Sequence, residues 1–328
     1  MLRLPEFSYF QPTTIAEAVA LKDAHGDRAM FVSGGTDLYP NMKRRQQEPR
    51  VVISLAKVDQ LNAIEMRDGG IHLGAKLTLT SLASDQRLQA GWPAFAHAAS
   101  SIATPLLRNM GTLGGNLCLD TRCNYYDQSY PWRKALGFCM KKDGDTCWVA
   151  PSSAKCWAVQ SSDLAPVVAA LGGRIELVGP KGARTLAAEA FYNDDGIRYL
   201  NKEPGELVTG LWLPEIAGAR SSYIKVAQRG SFDFPVLGVA AWARFDQQQK
   251  IAELRLVLGA IAPAPRLVPD LDKLLIGRSL DDRQAIAAAA EVAWRLARPL
   301  DNTDQAFSWR KSVVKPYVER ALLGLAAR

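Results

Sequence analysis

The sequence has few histidines and no long hydrophobic run. Its three histidines, His25, His72 and His97, all precede the cysteines, so a metal site of mixed histidine and cysteine ligands is not expected. No stretch approaches the roughly 18 consecutive apolar residues that suggest a membrane-spanning helix, and the first residues lack the apolar segment of a secretory signal. We therefore expect a cytoplasmic protein that does not enter a membrane.

The charge balance gives no sign of a nucleic-acid partner. Forty Lys and Arg residues against 33 Asp and Glu residues leave a net charge of +7, and the basic residues cluster only at residues 43–45. No nucleic-acid-binding motif accompanies that cluster, which we expect to be solvated. With 328 residues, of which 48% are hydrophobic, the chain is predicted to be globular, with about two domains.

Cysteine is absent from most of the chain. All five cysteines lie between Cys118 and Cys156, and an odd number in a reducing compartment argues against a disulfide framework. Their crowding into one segment argues equally against scattered core cysteines. Because thiolates bind zinc and iron–sulfur clusters, this segment is predicted to bind a metal.

The spacing of the cysteines is irregular and lacks the CxxC pairs of zinc ribbons, which disfavours zinc but leaves it as an alternative. Residues 121–161 are polar and show little periodicity, so they need a cross-link to compensate for a small core. Cys118 follows the apolar Leu117 and is predicted to pack as a small buried hydrophobe. The predicted ligands are the other four cysteines, Cys123, Cys139, Cys147 and Cys156.

Alternating strand and helix patterns predict an α+β fold. Helices are predicted at 14–25, from Ser81, at 92–102, after residue 163, at 283–298 and at 310–326. Strands are predicted at 29–32, 51–55, 69–79, 206–214 and 223–228. We therefore predict one α+β domain over residues 1–220, with an insertion at about 121–161, and a smaller α+β domain over residues 221–328.

Two glycine-rich loops form a second candidate site. VSGGTD follows a strand, and its glycines let backbone N–H groups approach phosphate oxygens. GTLGGN at 111–116 repeats this chemistry, and Asn116 adds a side chain that both donates and accepts hydrogen bonds, as a flavin requires. Neither loop has the spacing of a Walker A or Rossmann motif. Two ordinary tight turns are the alternative.

The order of SGGTDL, RNMGTLGGNL, SDLAP and the C-terminal unit resembles the FAD-binding subunit of the xanthine oxidase family of molybdenum hydroxylases. The resemblance covers nearly the whole chain. It implies a two-part FAD-binding domain of the PCMH type and a C-terminal domain like that of the CO dehydrogenase flavoprotein. It also implies that FAD is held by the residues of the two loops, Val32, Ser33, Gly34, Gly35, Thr36, Asp37, Gly111, Thr112, Gly114, Gly115 and Asn116.

The same resemblance assigns three further residues to the flavin. Asp163 and Lys225 are expected near it, and Leu207 is expected to make an apolar contact. From local sequence alone, Asp163 would be a helix cap and Lys225 a solvated strand residue.

The insertion resembles that of the β subunit of 4-hydroxybenzoyl-CoA reductase, which implies a [4Fe-4S] cluster on the four cysteines. Some bacterial aldehyde oxidoreductases also carry a cluster in the flavin subunit, but with a different thiol spacing. The chain is then an electron relay without catalytic residues of its own. Ferredoxin would supply electrons for reductive dehydroxylation to benzoyl-CoA.

The resemblance also implies partner subunits. A large subunit would hold the molybdenum cofactor and a small subunit the [2Fe-2S] clusters, in a dimer of heterotrimers. Two alternative functions stay open: the flavin subunit of an oxidative aldehyde or N-heterocycle hydroxylase, and a non-catalytic module with a structural four-cysteine zinc site.

Overall fold

The strands and helices lie in residues 2–326, the part of the chain that the computed structural model describes. The strands are β1 (Ser8–Phe10), β2 (Ala29–Val32), β3 (Val51–Ser54), β4 (Ile64–Arg67), β5 (Gly70–Gly74), β6 (Arg174–Gly179), β7 (Gly182–Ala187), β8 (Leu207–Pro214), β9 (Ala219–Val226), β10 (Leu237–Phe245), β11 (Ile251–Gly259) and β12 (Arg266–Leu267). The helices are α1 (Ile15–His25), α2 (Leu38–Lys43), α3 (Leu79–Ser84), α4 (Gln86–Gly91), α5 (Pro93–Ser101), α6 (Pro105–Arg108), α7 (Leu113–Leu117), α8 (Tyr130–Ala135), α9 (Leu164–Ala170), α10 (Ala188–Phe191), α11 (Asp272–Leu275), α12 (Arg283–Leu296), α13 (Phe307–Ser312) and α14 (Val314–Leu323).

Three sheets organise the strands. The first is parallel, with the order β1-β3-β2. The second is antiparallel and has the order β4-β5-β8-β6-β7. The third, also antiparallel, has the order β12-β11-β10-β9. Helices packed on antiparallel sheets confirm the predicted α+β class.

The third sheet is covered on both faces. Ala240 of β10 belongs to the larger apolar core, which is built on the second sheet with α5 and α9. Its neighbours Val239 and Ala241 belong to a second core with α12 and α14. This alternation follows from the two-residue period of a strand. It explains why β10, unlike a strand with one solvated face, is almost uniformly apolar.

Local sequence signals account for the first helix. The Thr14 hydroxyl accepts a hydrogen bond from the Glu17 backbone N–H at 3.1 Å, and a Glu17 carboxylate oxygen accepts one from the Thr13 N–H at 2.8 Å. The first bond satisfies a donor that the first helical turn leaves free, and the second fixes the residue before the cap against the helix. None of the helices in residues 2–326 combines the length and hydropathy needed to cross a bilayer.

Two predicted elements differ in the structure. The strand predicted at 69–79 ends at Gly74, and Leu79 instead opens α3, which is capped by Thr78 rather than Ser81. A turn follows Gly74, because the Leu77 N–H donates to Gly74 O at 3.1 Å, and the Leu79 N–H then donates to Gly111 O at 2.9 Å. The helix predicted at 310–326 is divided into α13 and α14. The predicted domain division after residue 220 stays a prediction.

Candidate functional site

The two glycine loops border one cavity of about 930 Å³. The first loop connects β2 to α2, and the second leads into α7, which contains Gly114 and Gly115. Asp163 and Leu207, two of the three residues assigned outside the loops, also line this cavity. The loop residues that line it are Val32, Ser33, Gly34, Gly35, Thr36, Asp37, Gly111, Thr112, Gly114, Gly115 and Asn116.

The loops touch each other through backbone. A Cβ atom placed on Gly34 would overlap the carbonyl of Met110. Gly35 has a φ of +71° and lies against the ring of Tyr39. Glycine meets each of these demands at low cost: the close backbone approach at Gly34 and the left-handed φ at Gly35. The result is a cradle with exposed backbone at its rim, which fits a dinucleotide pyrophosphate.

The second loop is held by backbone hydrogen bonds to the segment before α3. The N–H groups of Leu113 and Gly114 donate to Leu77 O at 2.9 Å and Ala75 O at 2.8 Å. Within the loop, the Thr112 hydroxyl accepts from the Gly115 N–H at 3.3 Å. These contacts make the loop a rigid wall of the cavity rather than a free turn.

Asp163 and Lys225 meet although they are distant in sequence. Lys225 Nζ lies 3.1 Å from Asp163 Oδ2, and the Tyr223 hydroxyl donates to Asp163 Oδ1 at 2.7 Å. Burial raises the pKa of Asp163, and the charge of Lys225 opposes that rise. Asp163 occupies the cap position of α9 but makes no capping bond with its side chain. Both residues therefore form a buried ion pair beside the cavity rather than a cap and a solvated lysine.

Asp37 lines the same cavity and has an unusual pKa. Burial raises that pKa to about 6, against the opposing charge of Arg122, whose Nη1 lies 3.8 Å from Asp37 Oδ1. Asn41 Nδ2 also donates to Asp37 Oδ2 at 3.1 Å. The guanidinium of Arg122 stacks over the ring of Phe234 at 3.9 Å from its centroid.

The structure brings the four predicted metal ligands together. Cys123, Cys139, Cys147 and Cys156 are all buried and line one small cavity. Burial raises the pKa of Cys123 to about 12 and that of Cys156 to about 11. Buried thiols of this kind stay protonated unless a metal cation replaces the proton.

The four thiols line this cavity, but their sulfur atoms do not converge on the position of a single metal ion. Within residues 2–326, no group of three or more His, Cys, Asp or Glu side chains has the geometry of a site for a metal ion. The identity of a metal at these cysteines therefore stays a prediction.

Cys123 belongs to both cavities, because it lines the large cavity and the thiol cavity alike. The backbone N–H of Cys123 donates to Asp127 Oδ2 at 3.1 Å. Cys118, the cysteine outside the predicted set, lines the large cavity and packs against the larger core. Cys118 does not line the thiol cavity, and it is half-buried rather than fully buried as predicted.

Several residues at the site were not singled out by the sequence pattern. Arg122 and Lys141 lie within the cysteine segment, and their position beside the cysteines was the available signal. Lys22, Tyr199 and Asn302 line the large cavity from remote parts of the chain. No local pattern marks them, because their proximity arises only from folding.

Known families match almost the whole chain. Residues 5–216 match the family described as FAD binding domain in molybdopterin dehydrogenase. Residues 222–325 match the CO dehydrogenase flavoprotein C-terminal domain. This confirms the predicted architecture of an FAD-binding domain followed by a smaller C-terminal domain.

Curated relatives and solved structures agree with these matches. The aldehyde oxidoreductase FAD-binding subunit PaoB of Escherichia coli K12 is 32% identical over 279 residues, covering 82% of this chain and 86% of that protein. The glyceraldehyde dehydrogenase medium chain of Sulfolobus acidocaldarius is 25% identical, covering 98% and 99%. Reconstituted CO dehydrogenase from Oligotropha carboxidovorans has a TM-score of 0.81 at 25% identity, covering 99% of this chain and 100% of that chain. The chain therefore belongs to the FAD-binding subunits of the molybdenum hydroxylase family of oxidoreductases.

Proposed function

We propose that this chain is the electron-transfer subunit of a multisubunit molybdenum hydroxylase, with FAD in the large cavity and a [4Fe-4S] cluster on Cys123, Cys139, Cys147 and Cys156. The observation that carries the proposal is that Cys123 lines both cavities. A thiolate in that shared wall places a one-electron centre next to the flavin site. FAD supplies the conversion between two-electron and one-electron carriers.

The chain's own groups fit FAD. The contact between Gly34 and the Met110 carbonyl keeps the two loops together, and their backbone is suited to phosphate oxygens. Asn116 is in the cavity wall, where its amide is suited to a flavin hydroxyl. We assign the Asp163–Lys225 ion pair to a polar contact beside the flavin ring. We assign Leu207 to an apolar contact with the flavin.

The four thiols fit an iron–sulfur cluster better than zinc. The four cysteines line one cavity and are spaced irregularly in the sequence, without the CxxC pairs typical of zinc ribbons. This spacing supports the cluster over zinc. A non-catalytic module with a structural zinc site is therefore the less favoured alternative.

The proposal requires partner subunits. After four of the five cysteines bind one cluster, only Cys118 remains, which is too few for a further [2Fe-2S] cluster. We therefore assign the molybdenum cofactor to a large subunit and [2Fe-2S] clusters to a small one, in a cytoplasmic dimer of heterotrimers. We likewise propose that the chain divides after residue 220 into the FAD-binding and C-terminal domains.

For the reaction of the complex, oxidation of an aldehyde is the first candidate. It is supported by the 32% identity to an aldehyde oxidoreductase subunit. The second candidate is reduction of 4-hydroxybenzoyl-CoA with ferredoxin as donor. That candidate is supported by the resemblance of residues 121–161, which contain the four cysteines, to the insertion in the β subunit of 4-hydroxybenzoyl-CoA reductase.

The cofactors are tested on protein purified without oxygen. We expect bound FAD together with iron and sulfide, and Ala substitutions of Cys123, Cys139, Cys147 or Cys156 should each lower the iron content severalfold. Cys118→Ala is the matched control and should keep full iron. Colourless protein that contains zinc, or iron loss in the Cys118 variant alone, would overturn the proposal.

The reaction is tested on the assembled complex. Aldehyde-dependent reduction of an artificial acceptor supports the first candidate, whereas benzoyl-CoA formation with reduced ferredoxin supports the second. Activity in neither assay would exclude both reactions, while the cofactor measurement still decides whether the chain is an electron-transfer subunit.

A further inference from the structure

Lys141 is a buried cation within the cysteine segment. Its side chain is 6% exposed, and it lies in sequence between Cys139 and Cys147. Lys141 Nζ donates to Asp120 Oδ1 at 2.8 Å, to Thr121 Oγ1 at 2.8 Å and to Gly196 O at 2.7 Å. An ammonium has three N–H donors, so all of them are used and the position of the charge is fixed.

This ion pair lies in the wall between the two cavities. Lys141 and Tyr126 line the thiol cavity, whereas Asp120 and Tyr199 line the large cavity. Lys141 Nζ is 4.9 Å from the centroid of the Tyr126 ring and 5.3 Å from that of Tyr199. The aromatic faces exclude water from the charge and add a favourable cation–π contribution.

The charge of Lys141 lies at the thiol cavity. Lys141 shares the lining of that cavity with Cys123, Cys139, Cys147 and Cys156, and a buried charge acts on its neighbours through a low effective dielectric. The opposing carboxylate of Asp120 is partly satisfied by other donors, since the Tyr126 hydroxyl and Gln47 Nε2 each donate to its Oδ2 at 3.2 Å.

Other charges near the thiols are arranged differently. Asp127 lines the large cavity and not the thiol cavity, and its Oδ2 accepts a hydrogen bond from the Cys123 N–H at 3.1 Å. Lys142, the next residue, directs its Nζ to Glu48 at 3.5 Å and Asp143 at 3.6 Å, carboxylates that are 43% and 55% exposed. A charge near the protein surface is screened by water, whereas a buried charge acts through a lower effective dielectric.

We propose that Lys141, held in place by Asp120, is a positioning residue that sets the reduction potential of the four-thiolate iron–sulfur centre. One-electron reduction adds one negative charge to the centre without forming or breaking a bond. A fixed cation beside the thiolates stabilises that added charge and favours the reduced state. This inference rests on the proposed cluster.

The test compares the full-length chain with Lys141→Met, Lys141→Arg and Lys142→Met, all purified without oxygen. Iron and sulfide are measured first, and the midpoint potential then follows from a titration monitored by electron paramagnetic resonance. Lys141→Met should lower the equilibrium constant for reduction about tenfold, a shift of about 59 mV to more negative potential. Lys141→Arg should restore most of that shift, and Lys142→Met should leave the potential unchanged.

A second variant separates an electrostatic role from a merely structural one. Asp120→Asn leaves the cation without its counter-charge, so the potential should move in the positive direction, opposite to Lys141→Met. If iron-loaded Lys141→Met keeps the wild-type potential, the inference is overturned. If Lys141→Met loses its iron, the sign of the Asp120→Asn shift decides instead, and a negative or absent shift overturns it. Wild-type protein without iron would overturn the cluster itself.

Discussion

At the scale of the residue, the flavin cavity depends on positions where a side chain cannot be accommodated. We predict that Gly34→Ala lowers the FAD content of the purified protein severalfold, because its Cβ would overlap the Met110 carbonyl and push the two loops apart. Released FAD, measured by absorbance against protein concentration, checks this. Gly91→Ala is the control and should retain FAD, since a Cβ there meets no atom within 4 Å.

Asp37 gives a pH-dependent prediction at the same scale. Its pKa is raised from 3.8 to about 6 chiefly by burial, so the folded protein binds the proton more tightly than the unfolded chain. The stability contributed by the protonated Asp37 carboxyl is therefore complete at low pH and is lost as pH rises through about 6. We expect the thermal midpoint of flavin-free wild type minus that of Asp37→Asn to become more negative from about pH 4.5 to pH 7. A value that becomes more positive over that range would contradict the assignment.

At the scale of the element, side-chain caps determine where helices begin. Asp282 Oδ1 accepts a hydrogen bond from the Ala285 N–H at 3.0 Å at the start of α12, the helix that covers the third sheet. Loss of such a cap costs about 1 kcal/mol. We predict that Asp282→Ala lowers the free energy of unfolding by about that amount, as measured by urea denaturation.

The neighbouring Asp281 supplies the matched control for this cap. It is exposed, and its carboxylate accepts only from the Ser279 hydroxyl among its described side-chain contacts, at 3.3 Å. Asp281→Ala removes the same charge without removing the cap. If Asp281→Ala and Asp282→Ala lower the free energy of unfolding equally, the loss of charge and not the loss of the cap explains the destabilisation.

At the scale of the whole molecule, the C-terminal part of the chain holds the cysteine segment. Arg310 is fully buried, and burial lowers its pKa to about 10. Its Nη1 donates to Asn302 Oδ1 at 3.0 Å, and Asn302 Nδ2 donates to Trp157 O at 2.7 Å. The Asn124 N–H donates to Asn302 O at 3.0 Å. Asn302 thus contacts the residues that directly follow Cys123 and Cys156.

We predict that Asn302→Ala destabilises the protein by about 2 kcal/mol, since it leaves the Trp157 carbonyl and a buried Arg310 donor without partners. It should also lower iron retention, because the segment after Cys156 loses its side-chain hydrogen bond at Trp157 O. The Asn124 hydrogen bond uses the backbone carbonyl of residue 302 and is retained. Urea denaturation and iron analysis measure the two effects. Asn201→Ala, which removes a hydrogen bond of 2.8 Å to Ala190 O at the surface, should alter neither by a comparable amount.

The amino-acid sequence by itself determined the types of chemistry at this site. Glycine is favoured where the backbone approaches another group more closely than a Cβ atom allows, and grouped cysteines provide a ligand set before any folding is known. Local caps likewise placed α1, because Thr14 and Glu17 act within one helical turn. These features depend on neighbouring residues, so a local pattern is sufficient to predict them.

The tertiary structure alone decided which distant groups meet. The Asp163–Lys225 pair, the Lys141–Asp120 pair in the wall between the cavities and the contacts of Asn302 join segments with no shared periodicity. The segment after β5 likewise bonds to a distant group, because the Leu79 N–H donates to Gly111 O. Burial then changes the pKa of Asp37 and Cys123, since the loss of solvation depends on the surrounding fold and not on the residue type.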